Sequence, residues 1–359
     1  MPEPFNPTYP PPRAKLDANE SPYEIPADLK ERVFHRALGA RFSRYESSLE
    51  NELTEAVADY ARVSPDMIVL GNGSDEILHL LAFAYSGPDR PVVAFRPSFE
   101  TYGAAAELSH APYTQVELRP PDFPLDMAAL TEAVSRGDAV SRGGAANGKE
   151  AGLVYLCRPN NPTANLCEVD EVRSLVRGTR AMVAVDEAYF EFAGSTVVPL
   201  VDRLAPNLCV SRTFSKAFRL AGLRLGYLVA PPEAVEKVRA HKMPYNLNHM
   251  TVAAGLVMLE EVGRLKGWVA ETLKERERLE AGLASLAPAV RPLPSTTNFI
   301  LFELPGRDHN KVWETLRLRG IYIRRYRGET LLDGYLRVSV GSPTENDLFL
   351  EELRAVLQA

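Results

Sequence analysis

The sequence predicts an α/β protein, a large domain built on a mainly parallel sheet covered by helices and joined to a smaller α+β domain. Three observations predict it. From Met67 onward, short apolar runs, turns carrying Gly, Pro or Asn, and helical patterns follow one another in a repeating order. The runs are continuous rather than alternating, which suits strands buried on both faces of a sheet. After Pro231 the texture changes to long helical patterns, including the charged stretch 271–286, and then to three more strand-like runs.

The candidate strands of the large domain are 67–70, 92–95, 153–156, 182–185, 208–210 and 225–229, and those of the small domain 298–303, 321–325 and 335–340. The first fifteen residues, with Pro10 to Pro12 consecutive, suit an extended arm of the kind that packs on a partner. Residues 135–152 are rich in glycine and small side chains and are expected to form a surface loop. The expected division is an arm at 1–45 that joins the small domain and a dimer contact, a large domain at 46–235 and a small domain at 236–359. A chain of 359 residues can bury a core large enough for this.

Composition excludes several classes. With 45% hydrophobic and 25% charged residues, the chain belongs with folded proteins rather than disordered or fibrous ones. A net charge of -6 argues against a broad nucleic-acid surface, so any bound anion needs a local cluster of donors. Cys157, Cys167 and Cys209 match no close-spaced metal pattern and are expected to be reduced core thiols, with no metal site. The opening Met-Pro-Glu-Pro-Phe lacks the basic and apolar regions of a signal peptide, and no apolar run approaches about 18 residues. A cytoplasmic protein with no membrane partner is expected.

In an open parallel sheet, ligands bind beyond the carboxyl ends of the strands, so the residues after each run carry the chemistry. After 67–70 comes Gly71-Asn72-Gly73-Ser74-Asp75-Glu76 at a helix start, whose free N–H groups suit a phosphate, although Ser74 or Asp75 could equally be a simple cap. After 92–95 comes Arg96-Pro97-Ser98-Phe99-Glu100-Thr101-Tyr102, in which Phe99 is either core or a ring at the rim. Arg158-Pro159-Asn160-Asn161-Pro162-Thr163 forms a rigid turn that presents an amide. Asp186-Glu187-Ala188-Tyr189 ends an apolar run on a carboxylate, which must find a cation or donors to stay charged. Ser211-Arg212-Thr213-Phe214-Ser215-Lys216 then brings one of only nine lysines to the rim, with Arg224 close behind.

These parts fit one reaction. A lysine at a desolvated rim can form a Schiff base with an aldehyde cofactor. An aspartate beneath a pyridine nitrogen keeps it protonated, so the ring can accept the electron pair left when a substrate Cα proton departs. Asn and Tyr side chains can bond the phenolic oxygen, and residues Gly73, Ser74, Asp75, Ser215 and Arg224 can hold a phosphate.

Over nearly its whole length the chain resembles fold-type I aminotransferases of the histidinol-phosphate aminotransferase family. The resemblance is carried by Leu16-Asp17-Ala18-Asn19-Glu20-Ser21-Pro22-Tyr23 and by 71–76, 159–163, 186–189, 213–216, 222–224, 298–302 and 336–341. It implies pyridoxal 5'-phosphate as cofactor, Lys216 as its covalent partner and proton shuttle, and Asp186 against the ring nitrogen. It implies Asn161 and Tyr189 as phenolic-oxygen ligands, Phe99 as the stacking ring, and Tyr45 reaching the cofactor phosphate of a neighbouring subunit in a homodimer. Two departures stand beside ligands: Ala164 where the family has glycine, and Glu46 where it has proline.

Arg337, in Leu336-Arg337-Val338-Ser339-Val340-Gly341, matches the superfamily arginine that grips a substrate carboxylate. By resemblance Arg324 completes an anion clamp for the phosphate of histidinol phosphate and the carboxylates of glutamate or 2-oxoglutarate. Both could instead be surface charges. If 321–326 is a strand, Tyr322, Arg324 and Tyr326 share one face and Ile321, Ile323 and Arg325 the other, so only one of the adjacent arginines faces the site. Tyr23 is expected to close the site from the arm. An aromatic aminotransferase or a threonine-phosphate decarboxylase on the same scaffold would need the same lysine and aspartate, and a non-enzymatic ligand sensor is the third reading.

Overall fold

The computed structural model describes residues 9–45, 48–136, 150–201 and 205–358. Glu46 and most of the glycine-rich stretch, 137–149, lie outside the described residues. In chain order the strands are β1 (Ala14–Leu16), β2 (Ile68–Gly71), β3 (Val92–Arg96), β4 (Tyr113–Glu117), β5 (Leu153–Cys157), β6 (Met182–Asp186), β7 (Leu208–Thr213), β8 (Gly226–Val229), β9 (Arg291–Pro292), β10 (Phe299–Glu303), β11 (Ile321–Ile323) and β12 (Tyr335–Ser339). The helices are α1 (Ala27–Leu38), α2 (Ser48–Ala61), α3 (Ser74–Tyr85), α4 (Thr101–Leu108), α5 (Met127–Arg136), α6 (Val169–Gly178), α7 (Phe190–Ala193), α8 (Pro232–Arg239), α9 (His249–Glu260), α10 (Val262–Ala284), α11 (His309–Leu318) and α12 (Pro343–Gln358).

Among the described residues seven strands form one sheet in the order β2-β8-β7-β6-β5-β3-β4. β4, β3, β5, β6 and β7 run parallel, and β8 is antiparallel to both β7 and β2. The mainly parallel sheet is as expected, with strand ends differing by a residue or more. β4 is the strand that continuous apolar runs do not reveal. Its Tyr-Thr-Gln-Val-Glu sequence is only partly buried because it pairs with β3 alone at the sheet edge. On the central strands successive side chains enter opposite layers: Val92 and Ala94 pack with α3, α4 and α8, while Val93 and Phe95 pack with the helices of the other face. Burial on both faces is the reason the runs read as continuous.

At the carboxyl ends of β5, β6 and β7 lies a buried charge cluster centred on Glu187. Its carboxylate accepts from Arg212 Nε at 3.1 Å and Nη2 at 2.9 Å, from Thr196 Oγ1 at 2.7 Å and from the Val197 N–H at 2.7 Å. The Arg158 guanidinium stands 3.6 Å away with no solvent exposure. Arg158 also donates to the Cys167 carbonyl at 2.7 Å and to Ser195 Oγ at 2.8 Å. Burial pushes the neighbouring Glu191 carboxyl up to about 8.

The small domain combines the antiparallel sheet β12-β10-β9, the parallel pair β1–β11, and helices α11 and α12. The arm from Tyr9 packs on this domain of its own chain, with Tyr322 Oη donating to the Pro10 carbonyl at 2.7 Å. α1 and α9 bury their apolar faces in the large cluster against the sheet, whereas α10 gives Leu265 to that cluster and Leu279 and Leu283 to the small one. On this packing we propose that the division runs through α10 rather than at residue 235, and that 25–38 belongs with the sheet. All three cysteines are buried and free. Among the described residues no helix is long and apolar enough to cross a membrane.

Trp313 anchors the small domain: it is fully buried, and its indole N–H donates to the Ile323 carbonyl at 2.8 Å. Trp313→Ala leaves a cavity and an unpaired carbonyl, and is expected to lower stability by about 3–5 kcal/mol in denaturant unfolding. A loss below about 1 kcal/mol would show that this core is not what holds the domain.

Candidate active site

The polar residues after β2, β3, β5, β6 and β7 converge at one edge of the sheet, where the small domain and the residues after β1 cover them. At one end is a cup. Gly73 has a φ of 83° and precedes α3 without any side-chain cap, so Ser74 and Asp75 are not the caps the sequence allowed. The first N–H groups of α3 are thereby left to face an anion. A Cβ at Gly73 would lie 2.4 Å from Arg224 Nη2, and one at Gly226 would lie 2.4 Å from the Ser74 nitrogen, so both glycines keep the cup open. Arg224 adopts a left-handed backbone with a φ of 52°. Its guanidinium donates to Ser215 Oγ at 3.3 Å and Asp75 Oδ2 at 2.9 Å. The Asp75 carboxylate therefore orients Arg224, and an anion contact from this residue must use its main-chain N–H.

At the other end Asp186 is buried at the tip of β6. Tyr102 Oη donates to its Oδ2 at 2.8 Å, and the Ala188 N–H to its Oδ1 at 3.2 Å. Burial pushes the carboxyl up to about 6, opposed chiefly by the Tyr102 hydrogen bond. Between the two ends lie Asn161 and Tyr189. The Asn160 amide is already occupied by Ser98, Pro97 and Thr163, whereas Asn161 Oδ1 accepts from Arg337 Nη1 at 2.7 Å. Tyr189 Oη accepts from Asn19 Nδ2 at 3.0 Å, and burial raises its pKa, so it keeps its own proton to donate. Phe99 is half-buried and meets the Tyr102 ring edge-on, with centroids 5.8 Å apart. Ala164 holds a φ of 60°, a conformation that favours the glycine usual there in the resembling family and costs an alanine about 1 kcal/mol.

Lys216 Nζ donates to the Ala18 carbonyl at 3.3 Å and lies 6.0 Å from the Tyr189 ring centre. Its pKa is pushed down to about 8, first by burial and then by the Arg337 charge, with Glu20 and Asp75 pulling the other way. Arg337 is buried and bonds the Asp17 carbonyl through Nη2 at 2.8 Å, while its buried Nε has no hydrogen-bond partner among the described residues. Arg324 and Arg337 exchange two main-chain hydrogen bonds of 2.9 Å, which puts their side chains on one face. The Arg324 side chain is 12% exposed and pairs with Glu100 at 3.3 Å, whereas Arg325 turns away and covers the Trp313 ring at 3.5 Å. The expected alternation therefore holds at the two adjacent arginines, although β11 itself ends at Ile323.

Two expected residues stand apart from this cluster. Tyr23 is partly exposed, with its ring 5.0 Å from the Arg219 guanidinium, which lies 4.2 Å from Trp268 on α10. Tyr45 is 81% exposed and stacks on Tyr245 at 4.5 Å. Three residues with no assigned role belong to the site: Tyr102 on Asp186, Asn19 on Tyr189, and Tyr326, buried beside Arg337. Tyr102 and Asn19 lie inside motifs visible in the sequence, but nothing local says what they bond.

The set fits pyridoxal phosphate: a cup of donors kept open by two glycines, a buried acid at the far end, an amide and a phenol between them, and an amine whose charge is suppressed. The family profile described as "Aminotransferase class I and II" matches residues 12–353. A histidinol-phosphate aminotransferase of Thermococcus gammatolerans is 37% identical over 344 residues, 96% of this chain and 92% of the relative. Another, histidinol-phosphate aminotransferase 1 of Carboxydothermus hydrogenoformans, is 38% identical over 343 residues, 96% of this chain and 93% of the relative. Among solved structures, the histidinol-phosphate aminotransferase of Sinorhizobium meliloti in complex with pyridoxal-5'-phosphate is similar with a TM-score of 0.84 at 25% identity, covering 97% of this chain and 92% of the other.

In cofactor-free protein, acylation of Lys216 by a small amine-selective reagent should follow the neutral amine and reach its half-maximal rate near pH 8. Arg337→Ala removes a cation that disfavours the charged amine, so the midpoint should rise; Glu20→Gln should lower it. A Lys216 midpoint at about 10.4, the ordinary lysine value, would mean that the amine is not desolvated.

Proposed function

The chain belongs to the class I and II aminotransferase family and is a pyridoxal-phosphate aminotransferase, and we propose that it moves an amino group between histidinol phosphate and 2-oxoglutarate in histidine biosynthesis. The observation that most directly supports this substrate is the main-chain pairing of Arg324 with Arg337 beside Lys216, which gives two guanidinium groups on one face. A phosphate with about two charges and three acceptor oxygens can engage both, as can the carboxylates of glutamate.

Bound pyridoxal phosphate supplies the electron sink for the pair left at the substrate Cα. On this reading the residues divide the work by their surroundings. Lys216 Nζ, with its charge suppressed, takes the Cα proton and returns it. Asp186 holds negative charge against the ring nitrogen, Asn161 and Tyr189 bond the phenolic oxygen, and Phe99 covers the ring. The start of α3 with Ser215 and Arg224 holds the phosphate. Arg337 positions the substrate carboxylate; its Nε bonds nothing among the described residues and leaves a donor for that purpose. Arg324 exchanges Glu100 for the substrate's distal anion.

The working unit in this reading is a homodimer with shared sites. Tyr45, Phe42, Phe34 and Leu38 from one segment, with Met243 and Tyr245 from another, are large apolar side chains left exposed on the single chain, and a second copy is the partner that would cover them. Tyr45 would then serve the cofactor phosphate of the partner subunit.

Hydrogen bonds to charged groups contribute roughly 1.5–3 kcal/mol each, so Arg324→Ala and Arg337→Ala should each lower kcat/KM for histidinol phosphate by at least about tenfold. Both should impair glutamate as well. For phenylalanine or tyrosine, which carry one carboxylate, Arg324→Ala should be nearly silent. A parent enzyme that prefers aromatic amino acids, with histidinol phosphate turnover indifferent to Arg324→Ala, would replace this substrate with the aromatic one.

Composite sites can be tested by mixing. Lys216→Ala and Tyr45→Phe, each impaired alone, should regain part of the lost activity as heterodimers, because one of the two sites then carries neither change. No recovery in isolated heterodimers would assign Tyr45 to its own subunit's site.

A further inference from the structure

Tyr102 is fully buried on α4, in the layer between the sheet and α3. Its ring lies flat on that of Tyr155 from β5, with centroids 4.7 Å apart and planes 10° from parallel. Tyr155 Oη in turn donates to the Leu78 carbonyl of α3 at 2.5 Å. Tyr102 Oη donates to Asp186 Oδ2 at 2.8 Å, and the edge of the ring meets Phe99. One side chain thus touches the acid at the ring-nitrogen end and the aromatic at the ring face. It is braced, through Tyr155, on the helix whose start forms the phosphate cup.

We propose that Tyr102 is a positioning residue that keeps Asp186 ionised and aimed, and that its hydroxyl, rather than the bulk of its ring, is what this duty requires. The proposal rests on Asp186 being the partner of the cofactor's ring nitrogen. The groups facing Asp186 are Asp75 from α3, Tyr102 from α4, Tyr155 and Cys157 from β5, Tyr189 after β6 and Lys216 after β7. Asp75 opposes ionisation, and Lys216 supports it only while protonated. Burial pushes the Cys157 thiol and the tyrosine hydroxyls up, so these stay neutral. Among the described residues the carboxylate has two donors, Tyr102 Oη and the Ala188 N–H. With burial pushing Asp186 up to about 6, losing one of them brings its titration to neutral pH or above.

The test separates the hydroxyl from the ring. Tyr102→Phe keeps the stack on Tyr155 and the contact with Phe99 and removes only the donor. In cofactor-free protein, the carboxyl stretch of Asp186, assigned by its absence in Asp186→Asn, is followed by infrared titration. Tyr102→Phe should raise its midpoint by about one to two pH units, the shift equivalent to a hydrogen bond on a charged group. Tyr155→Phe, which breaks the bond to Leu78 but leaves the Tyr102 hydroxyl, should leave the midpoint in place. Site-specific monofluorotyrosine at 102, a stronger donor of nearly the same volume, should lower it, and this arm decides if Tyr102→Phe fails to fold. An unmoved midpoint in folded Tyr102→Phe, an equal shift in Tyr155→Phe, or no downward shift with fluorotyrosine would each overturn the proposal. Turnover of Asp186→Asn judges the underlying reading separately: near-native activity there would remove Asp186 from the cofactor while leaving the Tyr102 titration result intact.

Discussion

The buried Glu187 carboxylate, gripped by Arg212 and faced by Arg158, is the interaction on which the geometry of the site depends. It joins the ends of three neighbouring parallel strands through side chains that solvent does not reach. Asp186 precedes Glu187 in the chain and Tyr189 follows it closely; Asn161 lies just beyond Arg158, and Lys216 just beyond Arg212. Each strand end alone would be a loop free to shift. An ion cluster of this kind is a weak source of net stability, because desolvation offsets much of the attraction, yet removing one partner leaves an uncompensated buried charge. Its consequence is rigidity: the three segments cannot move independently without exposing or orphaning a charge. Asp186, Tyr189, Asn161 and Lys216 are thereby held by packing from behind.

Within that frame burial acts on an acid and a base in opposite directions. Desolvation disfavours the charged form of both Asp186 and Lys216, bringing the acid up to about 6 and the amine down to about 8. The surroundings then divide the roles. Asp186 accepts from Tyr102 and the Ala188 N–H, which favour its anion, whereas at Lys216 burial and the Arg337 and Arg224 charges outweigh Glu20 and Asp75 and favour a neutral amine. The same low-polarity interior therefore brings an acid and an amine at opposite ends of the site closer together in pKa. Arg337 links the two effects, since it bonds Asn161 and pushes the lysine down.

The arm closes this arrangement from the far end of the chain. β1 pairs with β11, with Leu16 opposite Ile323, and so delivers Asp17, Ala18 and Asn19 to Arg337, Lys216 and Tyr189 respectively. Two of these contacts use main-chain carbonyls, so their identity as side chains matters little. Asn19 differs: its left-handed backbone, with a φ of 53°, and its amide satisfy Tyr189 and Ser339 together. The substrate face of the site is thus assembled from the two ends of the sequence.

What the sequence alone determined was local. The six strands with continuous apolar runs, the turns after them, and the residues at their carboxyl ends could all be read from neighbouring residues, because burial on both faces and the position of ligands in open sheets leave short-range patterns. Lys216, Asp186, Asn161, Ser215 and Arg224 were legible for this reason, and they do converge. β4 was not, because an edge strand shares its pattern with half-exposed loops, and α9 packs with the sheet although it follows the change of texture at Pro231. Tertiary structure decided every pairing between distant residues: Tyr102 with Asp186 across 84 positions, Asn161 with Arg337 across 176 and Asn19 with Ser339 across 320. It also decided that Arg324 rather than Arg325 shares a face with Arg337, since alternation makes two adjacent side chains diverge but only the main-chain pairing across the strands says which way each one points.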